Sequence, residues 1–379
     1  MTTVIFIKGL DKYPDRAKQA GIADYGRRRG WNVQSVEAID SQAKLKAVLD
    51  LWSPAGIIVN CGAGYNTLPP SAYGKTPVVF FAFPDASARH PVSCVYNDAK
   101  MTADLAAKTL LQLNLASYGY VNWFKPLSWN EMRRQAFCEA LSLHGKPIAV
   151  FSSRQKRSAE RTRAIVSWLR DLPKPIGVFA ANDAAASLVA NACKLSGLSV
   201  PDDVAIVGVD NDVEVCEANT PTLSSIKLNH VLSGQLAAEM LDHLMQKRSR
   251  KIQSVSYPPL GVVNRESTRR FPKTDKAIAQ AVERIRKEAC AGLNARDVLK
   301  DLPWSRRVAE VRFKNLTGHS ILAEIRSVRL AAAKSLLRDG KSSIESIAHQ
   351  TGYATLPAFS AFFKAETGLS PLAWQKRNR

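Results

Sequence analysis

Three short stretches place polar side chains where a ligand could be held. Val204-Ala205-Ile206-Val207-Gly208-Val209-Asp210-Asn211-Asp212 is an apolar strand ending in Gly-x-Asp, and Ala180-Ala181-Asn182-Asp183 closes a second apolar run and opens a helix. Arg133 lies in the first turns of a third segment, with Trp129 one helical turn before it. Ligands on parallel sheets bind beyond the carboxyl ends of the strands, where Asn182, Asp183 and Asp210 fall. Carboxylates and amides pair with vicinal hydroxyls, an Arg donates, and a Trp stacks on a sugar face. The set suits a polyhydroxylated ligand. The bland readings stay open beside it: strand-end Asn and Asp also cap helices, and Trp129 fits a core.

Other chemistries find less support. The six cysteines, Cys61, Cys94, Cys138, Cys193, Cys216 and Cys290, include no C-x-x-C pair, and the six histidines include no H-E-x-x-H. That fits reduced thiols, with no disulfide framework and no bound metal or other cofactor. Cys61-Gly62-Ala63-Gly64 follows a strand, but a proline-rich loop comes next in place of a helix, so it is no dinucleotide fingerprint. No nucleophile–base pair stands out, which argues against an enzyme.

A second chemistry sits at the other end of the chain. The 379 residues carry a net charge of +20, and residues 273–379 hold 20 Lys and Arg against 10 Asp and Glu, half the excess in little over a quarter of the length. Such a charge calls for a polyanionic partner. Within this stretch Phe313-Lys314-Asn315-Leu316-Thr317-Gly318-His319-Ser320 lines up with Phe363-Lys364-Ala365-Glu366-Thr367-Gly368-Leu369-Ser370. In each copy Phe packs a helix, Gly supplies its left-handed end and Ser caps the next one. A shorter helix and turn precede each copy, at 295–301 and 343–350, and a long helix over 321–338 joins them. Helix, short turn, helix is the geometry that enters a DNA major groove.

Candidate DNA contacts follow. Val308, Val311 and Phe313 read as core-facing, which leaves Arg306, Arg307, Glu310 and Lys314 outward. Arg pairs with guanine, Glu accepts from cytosine N4, and Lys314 suits a phosphate. The second reading helix offers only Thr355, Ser360 and Lys364 as donors, so it reads shape or thymine methyls and grips phosphates.

These residues need elements to hold them. Up to about residue 266, apolar runs at 3–8, 32–37, 56–60, 77–81, 93–96, 118–123, 147–151, 176–180, 204–209 and 223–227 alternate with helical stretches such as 99–113, 130–144, 159–169 and 230–246. Repeated strand–helix–strand units mean parallel sheets covered by helices. Ten strands suggest two α/β lobes, with the chain crossing between them near 93–100 and 223–230. The expected organisation is a two-lobed effector domain over 1–267, a basic linker over 268–275 and an all-α domain over 276–379. No run approaches 18 apolar residues, and the first residues read as a strand, so the expectation is a cytoplasmic protein with no membrane partner.

The segment 276–376 resembles the AraC-type DNA-binding domain. The resemblance rests on Ile344-x-x-Ile347-Ala348-x-x-x-Gly352-Tyr353 and Phe359-x-x-x-Phe363-Lys364-x-x-x-Gly368-x-Ser370-Pro371, with Pro303-Trp304 replacing the commoner Gly in the first unit. The α/β part is similar to the type I periplasmic-binding-protein fold of LacI-type repressors, through 200–211 and Tyr257-Pro258-Pro259-Leu260-Gly261-Val262-Val263-Asn264-Arg265-Glu266-Ser267. Joined, they look like the xylose operon regulators. That resemblance implies a sugar-responsive transcription activator of the AraC family. It also implies a homodimer on a double-stranded DNA operator, with RNA polymerase a further candidate partner. Asp210, Arg133 and Asp183 would hold sugar hydroxyls, and Asn97-Asp98 falls where the family has a ligand-side pair. The alternative is a sugar-processing enzyme or uptake binding protein fused to a DNA-binding tail.

Overall fold

The computed structural model describes residues 2–10, 13–66, 68–82, 92–125, 127–153, 155, 157–246, 253–269, 276–340 and 342–377. It divides into two compact units, Met1–Thr268 and Arg269–Arg379. Most of the expected linker, residues 270–275, lies outside the described residues.

The first unit runs β1 (Thr2–Ile7), α1 (Tyr13–Arg29), β2 (Trp31–Val36), α2 (Gln42–Trp52), β3 (Gly56–Asn60), β4 (Val78–Phe81), β5 (Cys94–Asn97), α3 (Ala99–Leu111), β6 (Ser117–Val121), α4 (Ser128–Ser142) and β7 (Ile148–Phe151). It continues with α5 (Ser158–Arg170), β8 (Ile176–Ala180), α6 (Asp183–Ser196), β9 (Val204–Val209), α7 (Val213–Ala218), β10 (Ser224–Leu228), α8 (His230–Met245), β11 (Ser254–Tyr257) and β12 (Pro259–Val263). Lobe 1 is a sheet of order β11-β5-β4-β3-β1-β2, and lobe 2 one of order β12-β10-β9-β8-β6-β7. Central strands such as Gly56–Asn60, Ile176–Ala180 and Val204–Val209 are buried throughout, as strands covered on both faces must be.

The chain crosses between lobes after β5, after β10 and again at Pro258, between β11 and β12. The last two strands are additions to the ten expected. The two parallel-sheet lobes stand as expected, and β12 adds one antiparallel edge strand to lobe 2 by pairing with β10. An antiparallel strand on the edge of a parallel sheet is a common addition.

Helices α1 and α8 cross closely over lobe 1. A Cβ on Gly21 would sit 2.1 Å from the Val231 carbonyl, and one on Gly234 2.1 Å from that of Lys18. Only glycine permits this approach, and it brings the start of α8 down beside the middle of α1.

The second unit is helical: α9 (Lys276–Glu288), α10 (Ala295–Lys300), α11 (Arg306–Thr317), α12 (Ile321–Asp339), α13 (Ile344–Gln350), α14 (Leu356–Thr367) and α15 (Pro371–Arg377). It has two cores. Phe313, Val298, Ile278, Ile285 and Ile325 fill the first, and Phe359, Phe363, Ile347, Leu337 and Trp374 the second. Helix α12 runs through both. The internal repeat holds down to single bonds. The Thr317 hydroxyl lies 2.7 Å from the Phe313 carbonyl and accepts from His319 N at 3.2 Å; Thr367 does the same with Phe363 and Leu369 at 2.7 and 3.3 Å. Gly318 and Gly368 then end their helices at φ of 78° and 75°.

Candidate functional site

In the first unit the strand ends of both lobes face one cavity of about 170 Å³. Lobe 2 supplies Asn182, Asp183, Asp210, Trp129 and Arg133 to its wall; Asn97, at the end of β5, completes the set.

Asp210 ends β9 with φ of 104°, followed by Asn211 at 52°. Non-glycine residues rarely adopt such values, and where they persist the surroundings hold them. Here Asp210 N donates to the Ile226 carbonyl at 2.9 Å and Asn211 N to Ser225 Oγ at 3.0 Å. The twist turns the carboxylate toward the cavity, where His230 Nε2 stands 3.2 Å from Oδ1.

Asp183 is more constrained. Its Oδ2 accepts from Asp212 N at 2.7 Å and its Oδ1 from Ser225 Oγ at 2.5 Å. A Cβ on Gly208 would lie 2.3 Å from Oδ1, so that glycine makes room for the carboxyl. Burial, and then the charge of Asp210, hold the Asp183 carboxyl well above the usual range. The helix cap is its neighbour Asn182, whose Oδ1 accepts from Ala185 N at 2.9 Å.

Arg133 is 4% exposed. It donates to the Ala181 carbonyl and, at 3.3 Å, to Asn97 Oδ1, and its guanidinium packs 5.0 Å from the Trp129 ring centre. Its Nε is buried with no hydrogen-bond partner among the described residues. Trp129 therefore presents one face to Arg133, while its Nε1 reaches across to the Gly62 carbonyl in lobe 1 at 2.9 Å. Asn97 and Asp98, expected as a pair, separate: Asn97 lines the cavity, whereas Asp98 caps α3 by accepting from Met101 N at 2.8 Å.

Lobe 1 contributes residues that the sequence analysis did not single out. Asp15 and Lys18, on α1, are 3% and 7% exposed. Asp15 accepts from Leu10 N at 2.8 Å and from Asn60 Nδ2, and Lys18 Nζ donates to Asn60 Oδ1 at 3.3 Å. Burial alone would raise the Asp15 carboxyl, but the Lys18 charge and these donors win and hold it below its usual value. Burial pulls the Lys18 ammonium down despite Asp15 beside it. His230, at the start of α8, also meets the Tyr257 hydroxyl at 3.4 Å through Nδ1. Burial pushes its imidazole below the ordinary value against the pull of Asp210. The signal that could have found Asp15 and Lys18 was charge on the same helical face as Gly21 and Ile22, where a solvated reading required exposure.

In the second unit α11 and α14 follow their short helices α10 and α13. Arg306 and Glu310 pair with each other at 3.0 Å, both exposed, while Arg307, Lys314 and Lys364 extend into solvent. The Thr355 hydroxyl caps α14 by accepting from Ala358 N at 3.4 Å, and Ser360 is half-buried. Val308 and Val311, expected in the core, are 43% and 53% exposed. The inward stripe of α11 is Ala309, Phe313, Leu316 and Thr317, and Val311 stands about 200° around the helix from Ala309.

The two units match two family models, a periplasmic binding protein-like domain over residues 107–268 and a helix-turn-helix domain over 299–377. The xylose operon regulatory protein of Haemophilus influenzae is 29% identical over 73% of each chain. That of Escherichia coli K12 is 32% identical over 56% of this chain and 55% of its own length. This chain thus joins a periplasmic-binding-protein-like domain to an AraC-type helix-turn-helix domain. A solved structure of the xylose-binding transcription activator XylR shares the fold from end to end, covering 99% of this chain and 98% of its own at a TM-score of 0.68 and 24% identity. A dimeric lac repressor structure shares the sensor fold over 70% of this chain and 98% of its own, with a TM-score of 0.58. As an AraC-type regulator the protein binds DNA under the control of a small sugar-like effector and is not an enzyme. Among the described residues no group of three or more His, Cys, Asp and Glu could hold a metal ion, and no helix is long and apolar enough to cross a membrane.

Proposed function

We propose that the effector is a neutral monosaccharide, xylose or another aldose of that size, held between the lobes by Asp210, Arg133, Asn97 and Lys18. The observation that carries this is the strained Asp210 turned toward the cavity opposite buried Lys18. A volume of about 170 Å³ is well below the ~300–1,000 Å³ of sites for drug-sized ligands, which favours one sugar ring over two. Even without Asp183, Asp15, Asp210 and Asp212 outnumber Lys18 and Arg133 around the cavity, which disfavours sugar acids and phosphates. The names of the two xylose operon relatives point the same way.

The signal leaves the sensor through its last residues. Arg265 donates to Asn211 Oδ1 at 2.9 Å, next to Asp210, and to the Leu223 carbonyl at 3.0 Å. Ser267 Oγ donates to the Ile206 carbonyl at 2.6 Å, and Thr268 meets Ser224 at 2.7 Å. A sugar that shifts Asp210 therefore pulls on the strap that leads into the DNA-binding unit. In that unit Arg307 reads guanine, and Glu310, held by Arg306, reads cytosine. Lys314, Lys364, Thr355 and Ser360 serve the backbone. The protein acts as a homodimer at two half-sites in the cytoplasm, and activates transcription by presenting RNA polymerase with a sugar-dependent arrangement on the operator.

A thermal-shift panel tests the effector. Xylose and similar aldoses should raise the melting temperature of the full chain by mass action, while disaccharides and sugar phosphates should not. A response to disaccharides alone would refute the assignment.

A further inference from the structure

Val308 and Val311 are unexplained by packing. A β-branched residue is a weaker helix former than Ala, and each leaves some two-fifths or more of its surface in solvent. Around them stand exposed Arg307, one turn before Val311, and Lys314 and Asn315 one turn after it. The repeat sharpens the point. With Phe313 aligned on Phe363, Val308 and Val311 fall on Ala358 and Ala361, which are also apolar and exposed. Both helices thus carry exposed apolar residues at these two places, and the first carries the larger ones, beside cations.

The major groove offers phosphates to the cations at its rim and one apolar group on its floor, the thymine C5-methyl. We propose that Val311, with Val308 beside it, packs against thymine methyl groups and sets base preference in the first reading helix. This rests on α11 being the helix that enters the groove. The surrounding charge commits the face to DNA: a protein partner for this patch would have to meet Arg307 and Lys314 as well, and these match a guanine edge and a phosphate on a helix already preceded by a turn and a supporting helix.

The test uses deoxyuridine, which pairs as thymine does and lacks only the methyl. A duplex selected by the full-length chain from random-sequence DNA is resynthesised with each thymine replaced singly, and its Kd measured by fluorescence anisotropy. Loss of one buried methyl is expected to weaken binding about fourfold at one or two positions. Val311→Ala, at an exposed site that leaves the fold intact, should bind the thymine and uracil duplexes equally at one of those positions. If Val311→Ala keeps every uracil penalty of the parent chain, or no thymine is sensitive, the proposal is overturned. Arg307→Ala separates this from failure of the underlying reading. If it weakens binding while Val311→Ala changes no penalty, only the thymine assignment falls; if neither variant alters binding, α11 is not the reading helix and both fall.

Discussion

Trp129 of lobe 2 donates its indole N–H to the Gly62 carbonyl of lobe 1 at 2.9 Å, across the mouth of the cavity. Lys125 repeats the tie one loop away, reaching the Gly64 carbonyl at 3.0 Å. The Cys61–Gly64 loop, which fails as a nucleotide motif, is thus the far side of a clasp. Trp129→Phe keeps a ring over Arg133 and removes the donor. One neutral hydrogen bond contributes ~0.5–1.5 kcal/mol net, so the Kd for xylose by calorimetry should rise roughly two- to tenfold. An unchanged Kd would show that the clasp is not part of the bound state.

The two lobe 2 carboxylates should separate by substitution. Asp210→Ala should abolish the sugar-induced rise in melting temperature and leave the apo protein close to its parent. Asp183→Asn puts an amide where two donors already point, leaving one buried and unpaired at a cost of ~1–3 kcal/mol. It should lower the apo melting temperature. If Asp210→Ala were the destabilising change and Asp183→Asn silent, the roles assigned here would be reversed.

His230 gives the sensor an acid limit. Burial holds its folded pKa below the ordinary value of about 6.5, so the unfolded chain binds the proton first as pH falls. The resulting stability is present above that value and is lost as pH falls toward the folded pKa. Asp183, with a raised folded pKa, contributes in the opposite sense, gaining relative stability on acidification. The difference isolates His230. Melting curves from pH 7 to 5 should show the parent losing more stability than His230→Gln, whose side chain does not titrate. Parallel curves would remove the imidazole from the account.

Much of this arrangement was legible beforehand, and the failures have physical causes. The central strands stood out because both faces are covered, giving uninterrupted apolar runs such as 176–180 and 204–209. Strands β11 and β12 did not, since Ser254–Tyr257 and Pro259–Val263 lie at sheet edges with mostly half-exposed side chains around Pro258. The lobe 2 side of the site was readable because Asp183 and Asp210 stand at element ends, with Arg133 in the first turns of α4. The lobe 1 side was not, because charged residues in the first turns of a helix, as Asp15 and Lys18 are in α1, ordinarily face solvent, and only the packed fold shows them buried around Asn60. Val308 and Val311 were misread because their apolarity was weighed without the phase of the helix.

Arg265 links cavity to strap, so it should govern coupling more than binding. Arg265→Ala removes the bonds to Asn211 and Leu223 while touching no cavity residue directly. Sugar affinity should stay within a few-fold of the parent, while the change in DNA affinity that sugar produces should shrink. Coupling is a difference of binding free energies, so titrating DNA with and without saturating xylose measures it directly. Undiminished coupling in Arg265→Ala would place the route elsewhere.

The central claim is that a sugar bound in the first unit controls DNA binding by the second. Its most direct measurement compares the full chain with a fragment of residues 269–379 on one selected duplex, each with and without xylose. The fragment has two cores of its own and should fold alone. It should bind with an affinity that falls steeply with salt and ignores sugar, while the full chain's affinity changes on adding sugar. A fragment that responds to sugar, or a full chain whose DNA affinity no monosaccharide alters, would contradict the account.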